Sequence, residues 1–340
     1  MPDRSVQAKD GEGRKMPDGL SALVARILEQ LAVTAWLPAA MLIGVGSLLV
    51  QLHTNKSLDI PRAVQDLATK PWGVIIILLF GLVLTTMVTQ AFSFASIRVL
   101  EGYWTPNRVV EPFLRRRVTR QVGLWKRLEA RVQSLDQELF ESARVRLLKE
   151  EDRNHVDVWE AQVYRIPKAQ RRQQDKAVIL AANTIDWRQK ADPATAATFY
   201  RAQARLDDFP PGAPHRFLPM ALGNVLRAYE ERLRLPGATL ERFVMTNYER
   251  IPARLMIQHD QFRDRLDMYC LLVLVYSLLA CAAIPLLTPT GGGAGFAAPL
   301  GGCLLLIGLA WLSYRAAISS ARGYGSTLLA IKDVIEESRR

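Results

Sequence analysis

The side chains that carry most enzyme chemistry are scarce in this chain and poorly spaced for it. The four histidines are His53, His155, His215 and His259, and none stands in an H-E-x-x-H or similar ligand pair. Asp152 and His155 lie one helical turn apart, a workable geometry for two metal ligands, but such a spacing more often marks a surface ion pair. Glu230 and Glu231 with Arg227 and Arg234 have the i, i+3 and i, i+4 spacing of helix ion pairs rather than of an acid/base dyad. Asp260, Asp264 and Asp267 share a face, where Arg263 is spaced to neutralise them. No P-loop, dinucleotide-binding or nucleophile-elbow pattern is present, and the glycines from Gly291 to Gly295 precede no phosphate-binding helix. The expectation is a chain that is not an enzyme, with no catalytic residue, no cofactor and no metal site.

Two other patterns invite attention. Thr85, Thr89 and Ser93 form an i, i+4, i+8 line bordered by Gln90, within a stretch that is otherwise apolar. Such a stripe lines a water-filled path in some membrane proteins, or hydrogen-bonds a neighbouring helix; the second use is the preferred reading. The run Arg115, Arg116, Arg117, Arg120, Lys126 and Arg127 suits either contact with anionic lipid or a solvated helix face. The basic excess around that run is modest for its length, so no nucleic-acid partner is expected.

These residues are set in a segregated chain. The mean hydropathy of +0.04 and 23% charged residues describe an ordinary soluble protein, but the average conceals the distribution. No charge and no histidine occurs between Glu29 and His53, between Lys70 and Arg98, or between Asp267 and Arg315. Runs of that length rule out a single soluble domain and read as membrane spans. The first two cover about 31–52 and 72–94. The third is too long for one helix and is broken by Thr288-Pro289-Thr290-Gly291-Gly292-Gly293, giving spans at about 268–287 and 296–314. At about 1.5 Å per residue, each can cross a hydrocarbon core of about 30 Å. The first is expected to remain as a span rather than act as a cleaved signal, because no small-x-small cleavage site follows Leu52. Ionisable residues inside spans mark ion coupling, and these spans have none, which argues against a proton- or sodium-coupled transporter. All three cysteines, Cys270, Cys281 and Cys303, fall inside spans and read as small packing residues.

Orientation follows from lysine and arginine in the flanks. Arg4, Lys9, Arg14, Lys15 and Arg26 precede the first span, and Arg315, Arg322, Lys332, Arg339 and Arg340 follow the last. The loop between the first two spans has only Lys56, Arg62 and Lys70, and the loop between the last two has none. The expected architecture is an all-α membrane protein with two transmembrane helical hairpins flanking a cytoplasmic helical domain. Residues 1–30 form a cytoplasmic tail, 31–97 the first hairpin, 98–266 the helical domain, 267–314 the second hairpin and 315–340 a second cytoplasmic tail.

Inside the central region the periodicity is helical. Val118, Val122, Trp125, Leu128, Val132, Leu135 and Leu139 form the stripe of a long amphipathic helix, about 109–150, whose period lapses where Ser142 and Arg146 fall on the seam. Asp192-Pro193 reads as an N-cap and first turn of a helix to Leu206. Pro219 opens another helix ending near Pro236-Gly237, and one helix runs from about Ala253 into the third span.

Two phrases resemble signatures of a known family. Arg98-Val99-Leu100-Glu101-Gly102-Tyr103-Trp104 directly follows the second span, and Pro219-Met220-Ala221-Leu222-Gly223-Asn224-Val225-Leu226-Arg227-Ala228-Tyr229-Glu230 lies in the central region. Both are similar to segments of a family of uncharacterised four-span membrane proteins common in actinobacteria. Met220 stands where that family has threonine. The resemblance implies the same layout and brings no activity. Gly223 and Asn224 are poor helix formers inside a helix, which suits either a partner surface or close helix packing. The functional expectation is a non-enzymatic multi-pass inner-membrane protein, in contact with membrane lipids. Its cytoplasmic domain binds a protein partner or assembles a homo-oligomer. The alternative is an oligomeric channel lined by the second span.

This topology is checked by cysteine accessibility. In a background without Cys270, Cys281 and Cys303, Lys56→Cys and Gly292→Cys are expected to label from outside intact cells, and Glu150→Cys only after lysis.

Overall fold

The computed structural model describes residues 33–55, 59–151, 153–167, 176–212, 214–234, 237–287 and 297–338. These residues form eleven α-helices and no strand: α1 Val33–Asn55, α2 Ile60–Ala68, α3 Trp72–Glu101, α4 Val110–Glu150, α5 Arg153–Val163, α6 Lys176–Thr184, α7 Pro193–Leu206, α8 Ala221–Leu233, α9 Gly237–Thr246, α10 Ala253–Leu287 and α11 Ala297–Glu337. Four helices have segments long and apolar enough to cross a membrane, within Trp36–Asn55, Trp72–Glu101, Ala253–Leu287 and Pro299–Glu337. The breaker at 288–293, Lys56 and Asp152 lie outside the described residues.

The chain divides into two compact units. The first comprises residues 1–96 and 267–314, the second 97–266 and 315–340. In the first unit, Leu49 of α1, Leu272, Val275, Leu279 and Ala283 of α10, and Leu306 of α11 make one apolar cluster, to which α3 contributes no residue. His53 Nδ1 lies 2.8 Å from the Leu286 carbonyl oxygen, joining the ends of α1 and α10. The connection to α3 is ordered by sequence-local chemistry. Asp59 caps α2 by accepting the Arg62 N–H at 3.1 Å, and Pro61 occupies its first turn.

The core of the second unit begins on α4. Its buried stripe runs Val132, Leu135, Leu139, Phe140, Ala143 and Leu147. The periodicity therefore continues past Leu139 by passing to Ala143 and Leu147; Ser142 and Arg146 lie beside the seam. Trp159 of α5, Ala182 of α6, Trp187 and Phe199 of α7 close the same cluster. The Trp159 Nε1–H donates to the Ala182 carbonyl at 3.0 Å, satisfying a buried donor. Asp192 caps α7 through the Thr195 N–H at 3.0 Å, with Pro193 next to it. Arg188 donates to Asp136 at 2.9 Å and lies 4.7 Å over the Trp187 ring, which ties the turn before α7 to α4.

The segment read as a C-terminal tail is different. α11 continues as helix to Glu337, and Leu328, Ile331 and Ile335 are buried with Leu233, Val244 and Ile251. Their i, i+3, i+7 spacing makes an apolar seam, so these turns fold as part of the second unit. Arg322 reinforces the packing with two hydrogen bonds to Asp208, at 2.8 and 2.7 Å.

Candidate functional site

The two signature-like phrases, far apart in sequence, meet within the second unit. At the end of α3 the Gly102 N–H turns back to the Arg98 and Val99 carbonyls, both at 3.2 Å, and the Tyr103 N–H to Arg98 at 3.0 Å. Gly102 has φ +96°, a left-handed helix terminus that favours glycine. The Trp104 indole N–H adds a 2.8 Å bond to the Val99 carbonyl. Pro219 sits against this turn, its Cγ 2.6 Å from where a Cβ on Gly102 would be.

The first turn of α8 supplies the matching surface. A Cβ on Gly223 would collide with the Glu101 carbonyl oxygen, so the backbones of α3 and α8 touch at a distance only glycine permits. Asn224, 2% exposed, holds the approach segment in shape. Its Oδ1 accepts the Leu218 N–H at 2.7 Å and its Nδ2–H donates to the Leu218 carbonyl at 3.0 Å. Phe217 packs edge-on to Trp125 of α4, ring centroids 5.6 Å apart. Both Gly223 and Asn224 are buried, and of the two uses open to them in the sequence they make close packing here. Their backbone-level roles are the physical reason for two poor helix formers here.

Carboxylates of the two phrases give the junction its electrostatics. Glu101 is the last residue of α3, beyond the uncharged run that Arg98 closes, in the second unit. Burial, then the charge of Glu230, pushes its carboxyl up to about 7, with Arg98 opposing. Burial likewise raises Glu230, opposed by Arg227 and assisted by Glu231. The Tyr103 phenol is raised by burial and by both carboxylates. Glu231 takes the cations, with Arg216 at 3.1 Å and Arg227 at 3.5 Å. The i, i+4 pair of Arg227 with Glu231 was legible in the sequence. Glu101 and Glu230 as a half-buried pair of carboxylates were not, although each belongs to one of the phrases. This arrangement can take up a proton near neutrality.

The other sequence candidates are dispersed. On α3, Thr86 and Thr89 are buried and Thr85 and Ser93 half-buried, while Gln90 is exposed. The Thr86, Thr89 and Ser96 hydroxyls donate to carbonyls of their own helix at 2.8, 3.0 and 2.7 Å. Along α4, Arg115, Arg116, Arg120, Lys126 and Arg127 are exposed and Arg117 is half-buried. Arg115 is paired with Glu111 at 2.6 Å, and Arg117 lies 5.1 Å over the Phe113 ring. Asp260 approaches His259 Nδ1 at 3.0 Å. Among the described residues no group of three His, Cys, Asp or Glu side chains is placed to hold a metal ion.

These features define an all-helical chain with four candidate membrane-spanning helices. No protein-family model, curated protein or solved structure matches it.

Two outcomes follow from the junction. In an isolated helix Gly223→Ala would add about 1 kcal/mol of stability. Here the new methyl meets a backbone carbonyl, so the detergent-solubilised protein is expected to lose about 1–3 kcal/mol in thermal or denaturant unfolding. The second outcome concerns pH. Because Glu101 is raised from its ordinary value of 4.5 to about 7, its stabilising contribution is complete below pH 4.5 and is lost as pH rises through about 7. Glu101→Gln is expected to flatten this fall, and to exceed the unaltered protein in stability at about pH 8 by on the order of 2 kcal/mol. Melting curves across this interval measure it.

Proposed function

We propose that this chain is a non-enzymatic multi-pass protein of a bacterial inner membrane that assembles with copies of itself or with a protein partner. In this reading the helices within 31–97 and 267–314 form two hairpins flanking a cytoplasmic helical domain, and both termini are cytoplasmic. The lysine and arginine distribution supports that orientation. The two phrases at the junction support kinship with the actinobacterial four-span family.

The observation that carries assembly is the state of α3. Only 11% of its most apolar window is buried, against 44% for α10. An apolar surface facing lipid needs no partner, but Gln90 does. It is exposed four residues inside the end of the span, about 6 Å along the helix, and its amide makes no hydrogen bond among the described residues. An amide is both donor and acceptor, so the same residue on a second helix satisfies it. The line of Thr85, Thr89 and Ser93 does not favour the channel alternative. Thr89 is buried within the chain, and its hydroxyl is bonded to its own helix.

The test is the oligomeric mass in detergent and in lipid nanodiscs, beside planar-bilayer recording. The purified protein is expected to form oligomers without conductance. Gln90→Leu should weaken association by about threefold to twentyfold, the range of interhelical polar contacts in membranes, and Gln90→Asn should retain most of it. A monomer at all concentrations ends the self-assembly reading; conductance favours the channel.

A further inference from the structure

The exposed face of α4 is built unlike an ordinary solvated helix surface. Val109, Phe113, Arg116, Arg120, Leu124, Arg127 and Arg131 follow one another at intervals of three or four, and therefore lie in one stripe. Val122, Trp125 and Val132 belong to the other stripe, centred on the opposite side of the helix, where Val132 enters the core. Three large apolar side chains are open on the basic stripe: Val109 at 82% exposure, Phe113 at 48% and Leu124 at 47%. Both acidic residues between 109 and 131 point away from it. Glu111 binds Arg115, which is off the stripe, and Glu129 lies 4.0 Å from Arg165.

The start of this stripe is also anchored near the span exit. Phe113 stacks on Trp104, with centroids 5.5 Å apart and planes 18° from parallel, and Arg117 lies 5.1 Å over the Phe113 ring. Trp104 is itself bonded to the α3 terminus through Val99, five residues after the last apolar residue of the span. Alternating arginine and exposed apolar side chains, on one helix face tied to a span end, match an anionic bilayer surface in both charge and chemistry. An acidic protein would satisfy the arginines, but it would not call for Val109, Phe113 and Leu124 to stand among them.

We infer that the Val109–Arg131 face of α4 docks on the anionic phospholipid surface of the membrane, with Phe113 and Leu124 inserted among the headgroups. Arg116, Arg120 and Arg127 meet the phosphates. Arg115 and Lys126, although part of the same basic run, lie off this face and make no contact.

The test uses the full chain in nanodiscs, with the three native cysteines replaced and an environment-sensitive fluorophore on a single cysteine at 113, 124 or 126. In discs containing phosphatidylglycerol the probes at 113 and 124 are expected to shift to the blue and resist aqueous quencher, while the probe at 126 reads as water-exposed. In phosphatidylcholine discs all three should read as exposed. The shift should weaken at about 1 M salt, where the Debye length falls to about 3 Å; this arm needs no change to the arginines. Changing Arg116, Arg120 and Arg127 to Gln should lower the docking equilibrium constant by roughly fivefold per residue, the factor set by about 1 kcal/mol each. Probes at 113 and 124 that stay exposed in anionic discs overturn the inference. So does an equal shift in neutral discs, or a shift produced only by added polyglutamate, which would assign the face to an acidic protein.

Discussion

The close approach of Gly223 to the Glu101 carbonyl is the contact on which the rest of the second unit's junction depends. It brings the end of α3 against α8 with no side chain between them, and everything else there follows from that distance. Gly102 must turn into left-handed backbone to let the chain leave. Pro219 fills the space this turn opens. Asn224 has to replace the backbone hydrogen bonds that Leu218 loses by standing outside the helix. A methyl at 223 would separate the two backbones and undo all three.

The same proximity explains the unusual carboxylates. Packing of α3 against α8 removes Glu101 and Glu230 from water and brings their charges together. Glu231, by contrast, stands within ion-pair distance of both Arg216 and Arg227. The cost of burying the ionised form sits on Glu101, and protonation relieves it. A junction that tightens as the solution is acidified is the physical consequence. It is located directly after the span whose remaining surface is the least covered of the four.

Polar groups within α3 divide into two kinds. Hydroxyls can return a hydrogen bond to the carbonyl three or four residues earlier, as Thr86, Thr89 and Ser96 do, and so need nothing from outside. Gln90 has no such local recourse and is exposed, which makes its amide the polar feature of this helix that asks for a neighbour. Along α4 the division is between charge that is locally paired, at Arg115, and charge left on a face with open apolar residues. In both helices the informative residue is the one that local pairing leaves over.

The four apolar helices, the cap at Asp192 and the amphipathic stripe of α4 were legible in the sequence, because each depends on residues within a few turns of one another. Length and absence of charge suffice for a span, and a carboxylate before proline suffices for a helix start. Residues after the last span read in the sequence as a tail, whereas Leu328, Ile331 and Ile335 pack with Leu233, Val244 and Ile251, partners that lie far away in the chain. Gly223 and Asn224 were noticed as anomalies, but whether a small residue faces a partner or a backbone depends on what lies opposite. That is Glu101, more than a hundred residues earlier in the chain. Only the tertiary structure brings those segments together, and only burial raises the carboxyls of two ordinary glutamates, because desolvation is a property of the surroundings and not of the residue.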